Sequence, residues 1–236
     1  MVASLLILAR CAGFVFRAPG FSHPSVPPPL RAGFALLLTV ALAHARIVAS
    51  PPSGGAATLL ALALEFAIGS ALGMAASLLY DAAYAAGRAV DDFVGVRAIA
   101  PTVTLVAPSG FGRVWSLACT GAFFLSGAYR IVLLNFARSF ERIPCGGTVS
   151  AAGWASFAAQ FFTSFVRIAA DIAGPAIGVA LVVQIAVGAL ARVVPRFGSV
   201  TLAFPLAFAA ALVITALTVP SIAARLPRLG APDLVP

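Results

Sequence analysis

Hydrophobic residues in this chain come in long blocks, separated by short groups rich in proline, glycine and arginine. The pattern predicts six apolar segments, at about residues 2–16, 32–49, 56–80, 114–135, 150–190 and 200–219. A block of roughly 20 apolar residues forms a helix long enough to cross a hydrocarbon layer about 30 Å thick. We therefore expect an all-α, multi-pass membrane protein whose helices form hairpins in one membrane-embedded domain over residues 1–236.

Two of these blocks are too long for a simple spanning helix. At 1.5 Å per residue, residues 150–190 would form about 60 Å of helix, twice the hydrocarbon thickness. Because Pro175 lacks an N–H and its ring clashes with the preceding turn, we expect a kink or a break there. We also expect the third segment to continue as a helix as far as Asp92, which follows Arg88 by one helical turn.

The composition points to lipid as the solvent. Hydrophobic residues make up 61% of the chain and charged residues 9%, whereas a soluble domain carries about 25% charged residues. The net charge of +8 comes from arginines, with no lysine in the chain. These arginines stand singly between apolar blocks, which favours anchoring at membrane interfaces over binding of nucleic acid.

The residues that usually carry catalysis or bind metals are sparse. Cys11, Cys119 and Cys145 are widely spaced, and His23 and His44 stand alone near segment ends. This spacing predicts neither a disulfide framework nor a metal site. Sequence motifs of metalloproteases, serine hydrolases and nucleotide-binding loops are missing. We expect no catalytic activity, no cofactor and no metal.

Glu65 lies near the middle of the third apolar segment, on a stripe of small residues. Gly69 and Gly73 follow it at intervals of four, so all three lie on one helix face. Small residues let two helix backbones approach closely, and Glu65 should therefore point at a partner helix. This favours a role in packing and assembly. An ion or proton relay, the usual function of an intramembrane carboxylate, stays open as the alternative.

Three further charges lie inside apolar segments. Arg167 and Asp171 are one helical turn apart in the fifth segment, and Arg10 lies in the middle of the first. A charge at bilayer depth costs several kcal/mol unless it is paired or hydrated. We therefore expect Arg167 and Asp171 each to be buried against protein or to face a water-filled lumen.

Short motifs occur in a fixed order along nearly the whole chain. The first is R-x-x-G…P-x-F, from Arg10 to Phe21, and the second is E-x-x-I-G-x-x-x-G, from Glu65 to Gly73. The third is A-G-x-x-x-D-D-x-x-G, from Ala86 to Gly95, with Pro108 after it. The fourth is R-S-F followed by P, from Arg138 to Pro144, and the last is R-x-x-P-x-F, from Arg192 through Pro195, with F-P-L from Phe204. Together they resemble the FliR/SctT/SpaR family, the export-gate subunits of flagellar and virulence type III secretion systems.

The resemblance implies a function. It implies a core subunit of the export gate in the bacterial inner membrane, within the secretion-system basal body, without enzymatic activity. Its partners would be FliP/SctR-like and FliQ/SctS-like subunits, an FlhB/SctU-like switch protein, membrane lipid and the unfolded proteins that pass through the pore. Glu65, Gly69, Gly73, Arg167, Asp171, Arg192 and Pro195 would serve helix packing and assembly. The alternative is a conventional transporter or channel with Glu65, Arg167 and Asp171 lining the path.

A loop between residues 91 and 112 is the candidate gate. It follows the overlong third helix and begins with Asp91 and Asp92, which we interpret as a solvated helix end. Glycine and proline favour a loop, and apolar side chains exclude water from a narrow lumen. In the family that the chain resembles, the corresponding loop lies in the export channel as a plug. An aqueous connection between helices is the alternative. The candidate plug residues are Gly95, Val96, Ile99, Pro101, Val103, Leu105, Val106 and Pro108.

Overall fold

The structure is a computed structural model, and it describes residues 2–22, 26–43, 54–95, 110–193 and 205–217. These ranges form α-helices joined by turns, so the all-α class predicted from the sequence is confirmed. The seven helices are α1 (Val2–Arg17), α2 (Pro28–Ala43), α3 (Gly55–Val94), α4 (Gly110–Leu125), α5 (Ala128–Arg142), α6 (Ala151–Val193) and α7 (Pro205–Leu217).

Two helices are long and apolar enough to cross a membrane on their own. These are α3, with 40 residues, and α6, with 43 residues; the bent pair of α4 and α5 adds a third span if both helices belong to one crossing. The chain is thus an all-α membrane protein. The expected continuation of α3 is confirmed. The helix ends at Gly95, whose φ of 87° lies in the left-handed region that favours glycine.

The structure differs from expectation in two elements. The segment at 114–135 is not one helix, because the chain leaves the helical conformation at Gly127, where φ is 73°. Gly127 has no Cβ and adopts this left-handed conformation without strain. At Pro175, where we expect a kink or a break, α6 continues as one helix, so there is no break, and the kink stays a prediction. The neighbouring residues Ile172 and Ala176 are buried, and this packing holds the backbone helical where proline removes one hydrogen bond.

The described residues fall into two compact units. The first contains α1, α2, α3 up to Leu78, and residues 123–163 with α5. The second contains residues 79–95, 110–122 and 164–193, together with α7. Helices α3, α4 and α6 contribute residues to both units. The single domain that we expect over residues 1–236 stays a prediction.

The first unit has an aromatic and aliphatic core between α1, α3 and α5. The rings of Phe14 and Phe136 stack with their centroids 4.2 Å apart. Leu6 and Ile68 are buried in the same cluster. Glycine allows the backbones of α1 and α3 to touch here, because a Cβ on Gly69 would overlap the carbonyl group of Arg10. This close approach places the side chains of Arg10 and Glu65 against each other.

We predict that Gly69→Ala destabilises the chain by about 1–3 kcal/mol, because the added methyl group forces α1 and α3 apart. Gly33→Ala is the matched control, since Gly33 in α2 has no atom within 4 Å of an added Cβ. In a helix this control should be neutral or stabilising by up to about 1 kcal/mol. Thermal unfolding of the detergent-purified proteins measures both, and equal melting temperatures for the two variants would contradict the close approach.

Candidate functional site

A buried ion pair links the first and third helices. Arg10 of α1 and Glu65 of α3 are 0% and 1% exposed, and Arg10 Nε donates a hydrogen bond to Glu65 Oε2 at 2.5 Å. The two residues are 55 positions apart in the sequence. Glu65 therefore faces another helix, as its stripe of small residues suggested, and the facing helix is α1 of the same chain.

The same pair holds the chain where it leaves α5. Arg10 Nη1 donates to the carbonyl oxygens of Ile143, at 2.9 Å, and Ser139, at 3.4 Å. The last four carbonyl groups of a helix lack helical partners, and a cation is favourable beside them. On the opposite side of the pair, the backbone N–H of Gly146 donates to Glu65 Oε1 at 2.8 Å. One ion pair thus joins α1, α3, the end of α5 and the turn that follows.

The guanidinium group of Arg10 also contacts an aromatic ring. Its central carbon lies 4.3 Å from the ring centroid of Phe140, within the range of a cation–π interaction. Arg10 Nη2 is buried without a hydrogen-bond partner. Removing two charges from water is costly, and a buried ion pair often contributes no more stability than an apolar pair of similar volume. We therefore interpret the pair as specifying how α1, α3 and the end of α5 are arranged, more than as adding stability.

A thiol borders this network. Cys145, in the turn after α5, is buried, and burial raises the pKa of its thiol to about 11, with the negative charge of Glu65 adding to the shift. The thiol therefore stays protonated at neutral pH and is a poor nucleophile. In the described ranges, which do not include His23 and His44, cysteine and carboxylate side chains form no group of three or more that suits a metal ion.

The second unit contains a carboxylate that the sequence analysis misinterpreted. Asp91 is not part of a solvated helix end: it is 2% exposed, and its Oδ1 accepts a hydrogen bond from the backbone N–H of Phe111 at 3.3 Å. That N–H belongs to the first turn of α4, where a negative charge is favourable. Close packing of Gly87 against Gly112 brings the two helices together. Asp92 is exposed as expected.

The remaining predicted residues are not gathered at one site. Arg167, Asp171 and Arg192 are exposed on α6, and no ion pair joins Arg167 to Asp171. Their burial, which we expect, would have to come from other molecules and stays a prediction. Gly95 ends α3. The other candidate plug residues, together with Pro195, lie outside the described residues: Val96, Ile99, Pro101, Val103, Leu105, Val106 and Pro108.

Sequence reasoning identified Arg10 and Glu65 as charges that need partners, but it did not pair them. Both residues stand in apolar segments, and that was the available signal. The acceptors and donors that complete the network are backbone groups of Ser139, Ile143 and Gly146. Backbone groups carry no side-chain signature, so a single sequence gives no means of finding them.

We predict that Arg10→Met or Glu65→Leu alone destabilises the chain by about 3–5 kcal/mol, because each leaves one buried charge without its partner. The double variant should be much closer to the parent protein, since it removes both charges. Unfolding of the three variants in a double-mutant cycle gives the coupling energy. Additive losses in the double variant would mean that the two side chains do not act as a pair.

Comparison with known proteins shows which family the chain belongs to. The chain matches the family described as bacterial export proteins, family 1, over residues 1–229. It is 26% identical over 227 residues to the flagellar biosynthetic protein FliR of Aquifex aeolicus, covering 94% of this chain and 87% of that protein. It is 28% identical over 220 residues to FliR of Bacillus subtilis, covering 90% and 84%. The resemblance seen in the sequence motifs is confirmed, and the chain belongs to the bacterial export proteins of family 1.

Proposed function

We propose that this chain is a core subunit of the type III export gate. It helps to form the inner-membrane pore through which unfolded substrate proteins leave the cell. Family membership over residues 1–229 and the two FliR relatives support this proposal. The structural observation that carries it is α6, a long apolar helix with two charged residues, Arg167 and Asp171, exposed on its surface.

The length and charges of α6 argue against lipid on all sides. Its 43 residues correspond to about 65 Å of helix, more than twice the hydrocarbon thickness. A charged side chain that faces acyl chains costs several kcal/mol. Among the described residues no ion pair reaches Arg167 or Asp171, so other protein subunits or an aqueous lumen are needed around this part of the helix. A multi-subunit pore provides both.

The exposed apolar surface supports the same conclusion. Large hydrophobic side chains are more than 60% exposed on several helices of the isolated chain, including Leu37, Leu59, Phe162, Val182, Ile185 and Val193. Lipid covers part of such a surface. We propose that the rest contacts FliP/SctR-like and FliQ/SctS-like subunits and an FlhB/SctU-like switch protein in the basal body.

The transporter alternative places Glu65 on a substrate path, and its surroundings do not favour this. The Glu65 side chain is 1% exposed, and its two oxygens accept hydrogen bonds from Arg10 and from the N–H of Gly146. A carboxylate on an ion path has to exchange partners with water or with the ion. Glu65 instead has the surroundings of a packing residue.

The proposal is tested with the intact secretion system. Deleting the gene should stop secretion of export substrates, and the full chain supplied from a plasmid should restore it. A tagged chain should co-purify in mild detergent with the FliP-like and FliQ-like subunits. Normal secretion in the deletion strain, or a tagged chain that purifies without either subunit, would refute the assignment.

We also propose that the segment after Gly95 closes the pore at rest. The turn at Gly95, directly before this segment, ends α3. The apolar residues that follow, including Val96, Ile99, Val103, Leu105 and Val106, have the bulk to exclude water from a narrow lumen.

Deleting residues 96–106 should therefore raise ion leakage through the assembled gate without preventing assembly. Conductance of membranes that contain the complete complex measures the leak, and co-purification verifies assembly. A second variant replaces the same residues by a glycine–serine linker of equal length, which keeps the connection but removes the apolar bulk. The complex with this linker should leak as well, which separates the loss of apolar bulk from the shortening of the chain. An assembled deletion complex with unchanged conductance would place the gate elsewhere.

A further inference from the structure

One face of α6 in the second unit is exposed in the part of the chain that the structure describes. Its residues recur every three or four positions, so they lie on one side of the helix. They are exposed, whereas the opposite side, with Ile172, Ala176 and Ala180, is buried. We name this uncovered surface the α6 outer face, and it consists of Arg167, Asp171, Gly174, Gly178, Leu181 and Ile185.

The middle of the α6 outer face is shaped for close backbone contact. Gly174 and Gly178 are four residues apart, which is about 6 Å along the helix. At both positions no atom lies within 4 Å of an added Cβ. In membrane helices this small-xxx-small spacing lets a second helix backbone approach closely. By contrast, Gly69 lies against the backbone of α1 and Gly87 against the backbone of α4, so both contact another helix of this chain.

The charges beside the glycines indicate what the second helix must carry. Arg167 and Asp171 lie one turn apart on the same face, about 6 Å along the axis. Both are exposed, and no ion pair in the described chain joins either of them to another residue. Acyl chains cannot compensate either charge. A partner that covers the face therefore needs a carboxylate level with Arg167 and a basic group level with Asp171.

A second copy of this chain does not meet that requirement. Copies inserted in the same orientation and related by a two-fold axis along the membrane normal present parallel α6 helices to each other. Arg167 would then lie opposite Arg167 at the same depth, and Asp171 opposite Asp171. Like charges in direct opposition are destabilising, so a second copy does not supply the complementary charges, and a partner that covers this face has to be a different protein.

We propose that the α6 outer face docks a membrane-spanning helix of another export-gate subunit, a proposal that rests on the proposed function. The docked helix carries an acid and a base four residues apart, and small residues opposite Gly174 and Gly178. If it runs parallel to α6, the acid precedes the base; if it runs antiparallel, the base precedes the acid. This order is the feature by which the partner helix can be recognised.

Gly178→Leu tests the docking directly, with Gly188→Leu as the matched control. Both glycines are exposed on α6 with no atom within 4 Å of an added Cβ, so both leucine side chains start in open space in this chain. Gly188 lies about 15 Å farther along the helix, beyond a crossing centred on Gly174 and Gly178. With all gate subunits co-expressed, Gly178→Leu should reduce the recovered complex by about tenfold, while Gly188→Leu leaves it unchanged. Equal recovery of both variants would overturn the proposal.

The charge requirement is tested by exchange. The double variant R167D/D171R keeps the composition of α6 but inverts the order of its charges, and it should lower complex recovery by about tenfold. A photo-crosslinker at Leu181 then identifies the neighbour. Cross-linking to a helix with the expected acid and base, and rescue of the double variant by inverting those two charges, supports docking. Cross-linking to a second copy, to lipid or to an arrested export substrate overturns it.

The two proposals fail in different ways. If the unmodified chain does not co-purify with other gate subunits, the proposed function fails. If the unmodified chain assembles and exports substrates, while Gly178→Leu and R167D/D171R assemble equally well, the proposed function stands and the α6 outer face is not the docking surface.

Discussion

A buried charge needs a partner, and in the first unit this requirement determines how the helices are arranged. Arg10 is completely buried, and each hydrogen bond that it makes joins α1 to a different part of the chain: Glu65 on α3, and the carbonyl groups of Ser139 and Ile143 at the end of α5. A rotation or a one-turn shift of α1 would leave a charge without a partner in a low-dielectric interior, so the ion pair opposes both.

The glycines make this pairing possible. Arginine and glutamate can meet inside the unit because Gly69 lets α1 lie directly on α3. With a larger residue at that position the helix axes would separate, and packing would be lost around the pair. Close backbone approach and the buried ion pair therefore depend on each other, and they explain why Glu65 stands on a stripe of small residues.

The sequence predicted the helices far better than the partners. Long apolar blocks in the sequence predict α1, α3 and α6, because every residue of such a block has to be compatible with an apolar environment. The break at Gly127 went undetected, since one glycine in an apolar run does not reveal its φ angle. The continuity of α6 through Pro175 also went undetected, because it depends on packing of Ile172 and Ala176. Pairing of Arg10 with Glu65 required the fold itself, as did the contact of Asp91 with the first turn of α4.

A charge in an apolar helix needs a partner, and this requirement has opposite outcomes in the two units. Arg10 and Glu65 form an ion pair within the chain, so neither of these two charges needs a counter-charge from another molecule. Arg167 and Asp171 are one helical turn apart, yet they remain exposed and unpaired with each other. Arginine before aspartate is the weaker order for a pair along one helix, which leaves both side chains available to another molecule. A charge satisfied inside the chain fixes the fold, whereas a charge left on an apolar helix creates a requirement for assembly.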